Sequence, residues 1–147
     1  NYYLDGLKKD YASTADRLQA MDNDISKDTA AVEKSTLAMK QVISENQATL
    51  TKISIQKDKA GFDKVGAKTQ LAQIDANISK MKETMKGMKD KESAYKVALQ
   101  GQTTTTSAEK SKLANLNKEY ANLNSKIAAL EQETNELYEQ RQAISLG

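Results

Sequence analysis

The sequence predicts an all-α protein, an elongated antiparallel three-helix bundle or coiled coil that runs up-down-up with a longer first helix. Its 147 residues contain no proline, where average usage would supply roughly seven. Long helices exclude proline because it lacks an amide donor and clashes with the preceding turn. Apolar residues recur at alternating spacings of three and four residues, as in a coiled coil. Glycine- and threonine-containing breaks divide residues 1–147 into three helices of one domain.

Helix 1 is predicted over about residues 3–60. Every seventh residue from position 4 belongs to one mostly apolar row, which reads Leu4, Tyr11, Leu18, Ile25, Val32, Met39, Asn46, Ile53 and Ala60. A polar residue in such a row either fixes the helix register or marks a wet position. For Asn46 the sequence leaves both interpretations open.

Helix 2, over about residues 67–100, follows a turn predicted at residues 61–66. Gly61 and Gly66 bracket this turn. Each glycine weakens a helix by only about 1 kcal/mol, so a continuous helix with a stutter is the alternative. The apolar row of helix 2 that faces the other helices is called its seam. Glu92 is a polar residue in this seam, as Asn46 is in the row of helix 1. The seam row is Leu71, Ile74, Ile78, Met81, Met85, Met88, Glu92, Tyr95 and Leu99.

Helix 3, over about residues 107–145, follows a threonine-rich turn at residues 101–106. Gly101 stands where helices commonly end. Thr106 and Glu109 form a capping box, which satisfies the first free amides of the next helix. We interpret Arg141, near the end of this helix, as a loosely packed, wet position. The seam row is Leu113, Leu116, Tyr120, Leu123, Ile127, Leu130, Thr134, Leu137, Arg141 and Ile144.

Pairing the seam rows about the two turns predicts a register. Between helices 1 and 2, Leu99 faces Ile25; between helices 2 and 3, Met85 faces Leu123 and Lys91 pairs with Glu119. This register places the methionines of KMKETMKGMKDK, residues 80–91, inside the bundle. The flexible thioether of methionine fills irregular gaps in such a core.

The same register leaves the start of helix 1, before about Leu18, without a partner helix. An uncovered apolar stripe is costly in water, and tyrosine is enriched at protein interfaces. We therefore predict an interface for a protein partner or a homo-oligomer. Its residues are Tyr2, Tyr3, Leu4, Leu7, Tyr11 and Leu18. An equally weighted alternative is that this stripe continues into helical sequence outside the printed chain.

Charge and residue content bound the chemistry. The net charge is +2, from 22 basic and 20 acidic residues, which gives no general attraction to nucleic acid or anionic lipid. The chain has no histidine and no cysteine, so the usual nucleophile–base pairs and transition-metal clusters cannot be built. We predict no enzyme activity, no cofactor, no metal site and no nucleic-acid partner.

Two segments imitate ligand-binding loops. Residues 61–69, GFDKVGAKT, come close to the sequence pattern of a phosphate-binding loop. However, Ala67 separates Gly66 from Lys68, and helical sequence lies on both sides. In residues 22–33, DNDISKDTAAVE, the acidic side chains have nearly the spacing of a calcium-binding loop. However, Lys27 stands where such a loop needs a glycine for its sharp bend. A plain turn and a solvated acidic helix face are the better interpretations.

The predicted function is a non-enzymatic structural or adaptor coiled-coil module that mediates protein–protein interaction or self-assembly, in a bacterial cell-envelope, secretion or surface assembly. Abundant Asn, Gln, Ser and Thr favour an extracytoplasmic location, whether periplasmic, secreted or at the cell surface. The alternative is a peripheral membrane-binding protein that uses the Lys/Met-rich helix 2, because basic amphipathic helices bind anionic lipid surfaces.

Overall fold

The computed structural model describes residues 13–146, which form three α-helices and no strand. Helix α1 spans Thr14–Gln56, α2 spans Lys64–Gln100 and α3 spans Ser107–Gln142. The prediction of an all-α three-helix bundle is confirmed. Helix α1, with 43 residues against 37 and 36, is the longest of the three.

The helices contribute to two compact units, each with its own core. Unit 1 combines the described residues up to Ala31 with Asp90–Ser125, and unit 2 combines Val32–Lys89 with the residues from Lys126 onward. The buried core of unit 1 is Leu18, Ile25, Leu99 and Leu116. The buried core of unit 2 is Met39, Ile43, Leu50, Ile53, Ala67, Leu71, Ile74, Ile78, Met81, Met85, Leu130, Leu137 and Ile144.

Side-chain pairs give the helix directions within unit 2. Helix α3 runs parallel to α1, since contacts advance along both helices together, and antiparallel to α2, since contacts advance in opposite senses. The up-down-up order is therefore present in this unit. The pairs are Lys126–Glu33 and Gln140–Gln47 for α1 with α3, and Lys89–Glu131 and Arg141–Asp75 for α2 with α3.

The turn between α1 and α2 lies earlier than predicted and separates two distinct helices. Gly61 has a φ of 77°, a left-handed conformation that glycine adopts without steric cost. The Gly66 N–H donates to Asp63 Oδ1 at 2.9 Å, so Asp63 is the N-cap of α2. This cap starts α2 at Lys64, three residues before the predicted start.

The turn between α2 and α3 contains the predicted cap in a modified form. The Glu109 N–H donates to Thr106 Oγ1 at 3.1 Å, as the capping box requires. The Glu109 carboxylate accepts instead from the Thr105 N–H, at 3.3 Å. At the other end of the turn, the Gly101 N–H donates to the Val97 carbonyl at 3.1 Å and the Gln102 N–H donates to the Leu99 carbonyl at 3.3 Å, so the last turn of α2 tightens where the helix ends.

The predicted register of α1 against α2 agrees with the contacts. In unit 2, Asn77 Nδ2 donates to Asn46 Oδ1, within one residue of the predicted pairing. In unit 1, the Tyr95 hydroxyl donates to the Asp28 carboxylate, at the same offset.

The predicted register of α2 against α3 is wrong by about one heptad. Met85 Sδ lies 3.5 Å from Thr134 Oγ1, rather than opposite Leu123. Lys91 Nζ lies 3.6 Å from Asp28, rather than beside Glu119. A heptad pattern presents the same seam positions after every shift of seven residues. Apolar spacing alone therefore cannot distinguish registers that differ by one heptad.

Two glycines of unit 2 test this backbone account in opposite directions. We expect Gly61→Ala to lower the free energy of unfolding by about 1–2 kcal/mol, because an L-residue is strained at a left-handed φ. We expect the matched control Gly87→Ala to raise it by about 0.5–1 kcal/mol. Gly87 lies inside α2, and an added Cβ there would meet no atom within 4 Å. Urea unfolding followed by circular dichroism measures both changes; equal effects would contradict the assigned turn.

Candidate interaction surfaces

The predicted interface residues at the start of the chain fall into two groups. Leu18 is completely buried and belongs to the core of unit 1 with Leu99 and Leu116. Its side chain therefore has no surface to offer a partner while unit 1 is folded. The remaining predicted residues lie outside the described part of the chain; they are Tyr2, Tyr3, Leu4, Leu7 and Tyr11.

Helix α1 starts with a capped turn. Ser13 Oγ accepts from the Asp16 N–H at 3.1 Å, and Asp16 places a negative charge in the first turn. Both features stabilise the positive end of a helix. Ser13 and Leu18 thus serve the folding of unit 1, so a truncation that probes the N-terminal segment has to stop at residue 12.

The Lys/Met-rich stretch of α2 has its methionines inside, as predicted. Met81 and Met85 are 5% and 4% exposed, and the partly buried Met88 packs against the same core. Lys80 and Lys86 point outward and are exposed. In the folded protein the lysines, and not the methionines, face any surface that approaches this part of α2.

The polar residues that interrupt the seams have partners on other helices. Asn46 is buried and its Oδ1 accepts from Asn77 Nδ2 at 3.5 Å. The Glu92 carboxylate accepts from the hydroxyl of Tyr120. These contacts favour the interpretation that Asn46 and Glu92 fix helix register, over the interpretation that they occupy wet positions.

Arg141 is also paired, and the prediction of a wet bundle end is wrong. Its Nη2 donates to Asp75 Oδ2 at 3.1 Å, and its Nη1 donates to the Ile144 carbonyl at 3.3 Å. The side chain is 19% exposed. A rigid guanidinium fork matches a carboxylate, so Arg141 ties the last turn of α3 to α2.

Leu37 is an apolar side chain that lies outside the seam rows and is 74% exposed. It borders a groove of about 330 Å³ within unit 2, between α1 and α3. The salt bridge between Glu33 and Lys126, 2.7 Å long, stands beside it. The side chains that line the groove include Leu37, Ala129, Leu130 and Lys40. Heptad analysis misses this surface because Leu37 lies two residues before the seam residue Met39.

A charged cluster joins α1 and α3 in unit 1. Lys112 Nζ lies 2.5 Å from Asp22 Oδ2, and the Glu119 carboxyl lies within hydrogen-bonding reach of Asp22. Lys112 holds the pKa of Asp22 below its usual range, with the Glu119 hydrogen bond as the next cause. The hydrogen bond to Asp22, followed by burial, raises the pKa of Glu119. The sequence prediction missed this cluster because its members lie beside the seams.

Two tyrosines bind carboxylates across helix pairs in unit 1. Burial, followed by the hydrogen bond to Asp28, raises the pKa of Tyr95. Burial, followed by the hydrogen bond to Glu92, raises the pKa of Tyr120 to about 12. Both hydroxyls therefore remain donors throughout the neutral pH range.

The described residues offer no metal or membrane-spanning chemistry. No group of three metal-ligating side chains occurs among them, and none of their helices has an apolar run long enough to cross a bilayer. Residues 22–33 lie within continuous helix, so the bend of a calcium loop is missing there.

The carboxylate-bound tyrosine can be tested against an exposed one. We expect Tyr120→Phe to lower the free energy of unfolding by about 1.5–3 kcal/mol, because the hydrogen bond to a charged group is lost. The control Tyr138→Phe should cost less than about 0.5 kcal/mol. Tyr138 is 41% exposed, and the Lys82 ammonium, 3.8 Å from its ring centroid, can also bind phenylalanine.

The pH dependence of the Tyr120→Phe effect has a defined sign. The folded pKa of Tyr120 is raised from 10.0 to about 12, so its stabilisation is complete below pH 10 and is lost as pH rises to about 12. Urea unfolding should show a difference between wild type and Tyr120→Phe that is constant from pH 7 to 9 and shrinks above pH 10. Equal effects of the two tyrosine substitutions would contradict this account.

Comparison of the chain with models of known protein families, with curated proteins and with solved structures gives no match, so its function is inferred from its own residues.

Proposed function

We propose that this chain is a non-enzymatic structural or adaptor module that binds a protein partner or a second copy of itself through the apolar side chains before α1. The observation that carries this proposal is that the chain's own helices cover the seams of both units. The described seams need no further chain to bury them. We therefore assign partner binding to apolar residues that lie outside the described seams.

The ends of the helices support this assignment. Helix α2 ends at Gln100 and α3 begins at Ser107, while Leu18 already packs at the edge of the unit 1 core. Neither α2 nor α3 extends to seam positions one heptad before Leu18. Leu4 and Tyr11 continue the seven-residue spacing of Leu18 in the sequence, and in this proposal another chain covers them.

The chemistry of the segment indicates the kind of partner. Tyrosine buries a large apolar ring while its hydroxyl keeps a polar contact, which suits a surface that alternates between exposed and bound states. A second copy of the same segment supplies a matching apolar stripe, so self-association is the form to test first. A bacterial extracytoplasmic location remains a prediction from composition.

The membrane-binding alternative has less support. It relies on an apolar face of α2, and the methionines of that face, Met81 and Met85, are buried in the unit 2 core. Lys89 is occupied by Glu131 at 2.9 Å, and Lys82 stands over the ring of Tyr138. Two of the ammonium groups that a lipid surface would meet on α2 therefore already have protein partners.

Removal of residues 1–12 tests the proposal and leaves the described residues of unit 1 in place. We expect the full chain to self-associate at concentrations of about 10–100 μM and the truncated chain to be monomeric. We expect the free energy of unfolding of the monomer to be unchanged, because the Ser13 cap and Leu18 remain. Sedimentation velocity measures the first quantity and urea unfolding of dilute protein the second.

A matched pair of variants distinguishes the effect of the apolar side chains from the effect of the length of the N-terminal segment. Serine at Tyr2, Tyr3, Leu4, Leu7 and Tyr11 should reproduce the truncation, whereas serine at Lys8, Lys9 and Asp10 should leave association intact. If the full chain and the truncated chain have the same mass at every concentration, self-assembly through this segment is wrong.

A further inference from the structure

Two carboxyl groups meet inside unit 1 without a donor between them. Asp22 Oδ1 on α1 and Glu119 Oε2 on α3 are both buried, and neither has a hydrogen-bond partner, although the two carboxyl groups lie within hydrogen-bonding reach of each other. An ionised carboxylate can only accept hydrogen bonds, whereas a protonated carboxyl can also donate one. Two ionised carboxylates in contact repel each other, and the repulsion strengthens where water is excluded. The contact is therefore favourable only when one proton lies between the two groups.

We propose that Asp22 and Glu119 share a single proton and that this proton makes the α1–α3 contact of unit 1 a pH-sensitive latch. The proton resides on Glu119 Oε2, which donates to Asp22 Oδ1. Lys112 decides this arrangement, because its ammonium lies 2.5 Å from Asp22 Oδ2 and favours the ionised form of Asp22. When Glu119 loses the proton, two negative charges face one Lys112, and the α1–α3 contact weakens.

The other polar groups around the latch do not neutralise the second charge. On α1, Ser26 lies one helical turn after Asp22 and carries no charge. On α2, the titratable side chains of unit 1 that contact α1 or α3 are paired with residues other than Asp22 and Glu119. On α3, the Lys112 ammonium is the cation that acts on both latch carboxyls. The occupied groups are Lys91 and Tyr95, both with Asp28, and Glu92 with Tyr120.

The latch lies beside the small buried core of unit 1. Asp22 stands between Leu18 and Ile25 on α1, and Glu119 follows Leu116 on α3 by three residues. These three apolar residues are buried in one small cluster. Repulsion between the carboxylates therefore acts directly against the packing of the core residues beside them.

Unit 2 has a different electrostatic character. The ion pairs described between its helices each join opposite charges, so they do not require a shared proton. They are Glu131 with Lys89, Glu33 with Lys126 and Asp75 with Arg141. The latch therefore confines this pH response to unit 1.

The direction of the response follows from linkage. The pKa of Glu119 is raised from its ordinary 4.5, so its stabilisation is complete below pH 4.5 and is lost as pH rises through the folded value. The pKa of Asp22 is lowered from its ordinary 3.8, so its stabilisation is complete above pH 3.8 and is lost as pH falls. The latch is strongest between these two ordinary values and weakens towards neutral pH.

Glu119→Gln tests the latch, because the glutamine amide donates to Asp22 at every pH. We expect the urea midpoint of Glu119→Gln to match wild type at pH 4.2 and to exceed it at pH 7.5 by about 0.3–1 M. Glu139→Gln removes the same charge from an exposed position of α3 and should show no such pH-dependent difference. A difference between Glu119→Gln and wild type that is independent of pH overturns the proposal.

Direct titration of Glu119 is a second measurement. A general change in stability would not alter the pKa that it reports. Carbon-detected NMR of the Glu119 carboxyl should show a midpoint above 4.5 in the wild type. In Asp22→Asn the asparagine amide donates to Glu119 and favours its ionised form, so the midpoint should fall to the ordinary value or below it. A Glu119 midpoint that Asp22→Asn leaves unchanged also overturns the proposal.

Discussion

The fold depends on the burial of one apolar seam per helix against the other two helices. Each fully buried leucine contributes about 1.5–3 kcal/mol relative to an exposed one, and Leu50, Leu130 and Leu137 of unit 2 are at most 1% exposed. No disulfide can assist, because the chain has no cysteine. Everything else in the described structure, including the caps, the ion pairs and the polar seam residues, adjusts how these seams meet.

A repeating seam does not determine the helix register by itself, because registers that differ by one heptad bury the same kinds of residue. Polar contacts between helices resolve this ambiguity here. A slip by one heptad would break the Asn46–Asn77 hydrogen bond and the Glu92–Tyr120 hydrogen bond, and each such bond contributes about 0.5–3 kcal/mol. The polar seam residues thus supply specificity where the apolar ones supply stability.

Sequence reasoning reached the features that local chemistry determines. The absence of proline and the seam spacing gave three helices, and Thr106 with Glu109 gave the start of α3. The Asp63 cap was not predicted, because Asp63 lies between Gly61 and Gly66 and the two glycines predicted a turn that extends to residue 66. Sequence reasoning also missed the α2–α3 register and the contact between Asp22 and Glu119. Both depend on which heptads meet, which no single helix encodes.

Two features bear on the proposed role of the chain as an interaction module. Leu18 belongs to the core, and the proposed binding segment, residues 1–12, precedes the Ser13 cap in the sequence. The Asp22–Glu119 pair places a pH-dependent contact in that same unit. Partner binding and the stability of unit 1 can therefore be measured independently, by changing residues 1–12 in one case and the latch in the other.

The central claim is that the helices of a single chain close both seams in the register described. Carbodiimide coupling of the unmodified protein, with mass spectrometry of a mixture of ¹⁴N- and ¹⁵N-labelled chains, tests it most directly, because the reagent joins only ammonium and carboxylate groups already in contact. The account predicts single-isotope links for Lys89 with Glu131 and for Lys112 with Asp22, which are 2.9 and 2.5 Å apart. Links between Lys91 and Glu119, or links that mix the two isotopes at these positions, would contradict it.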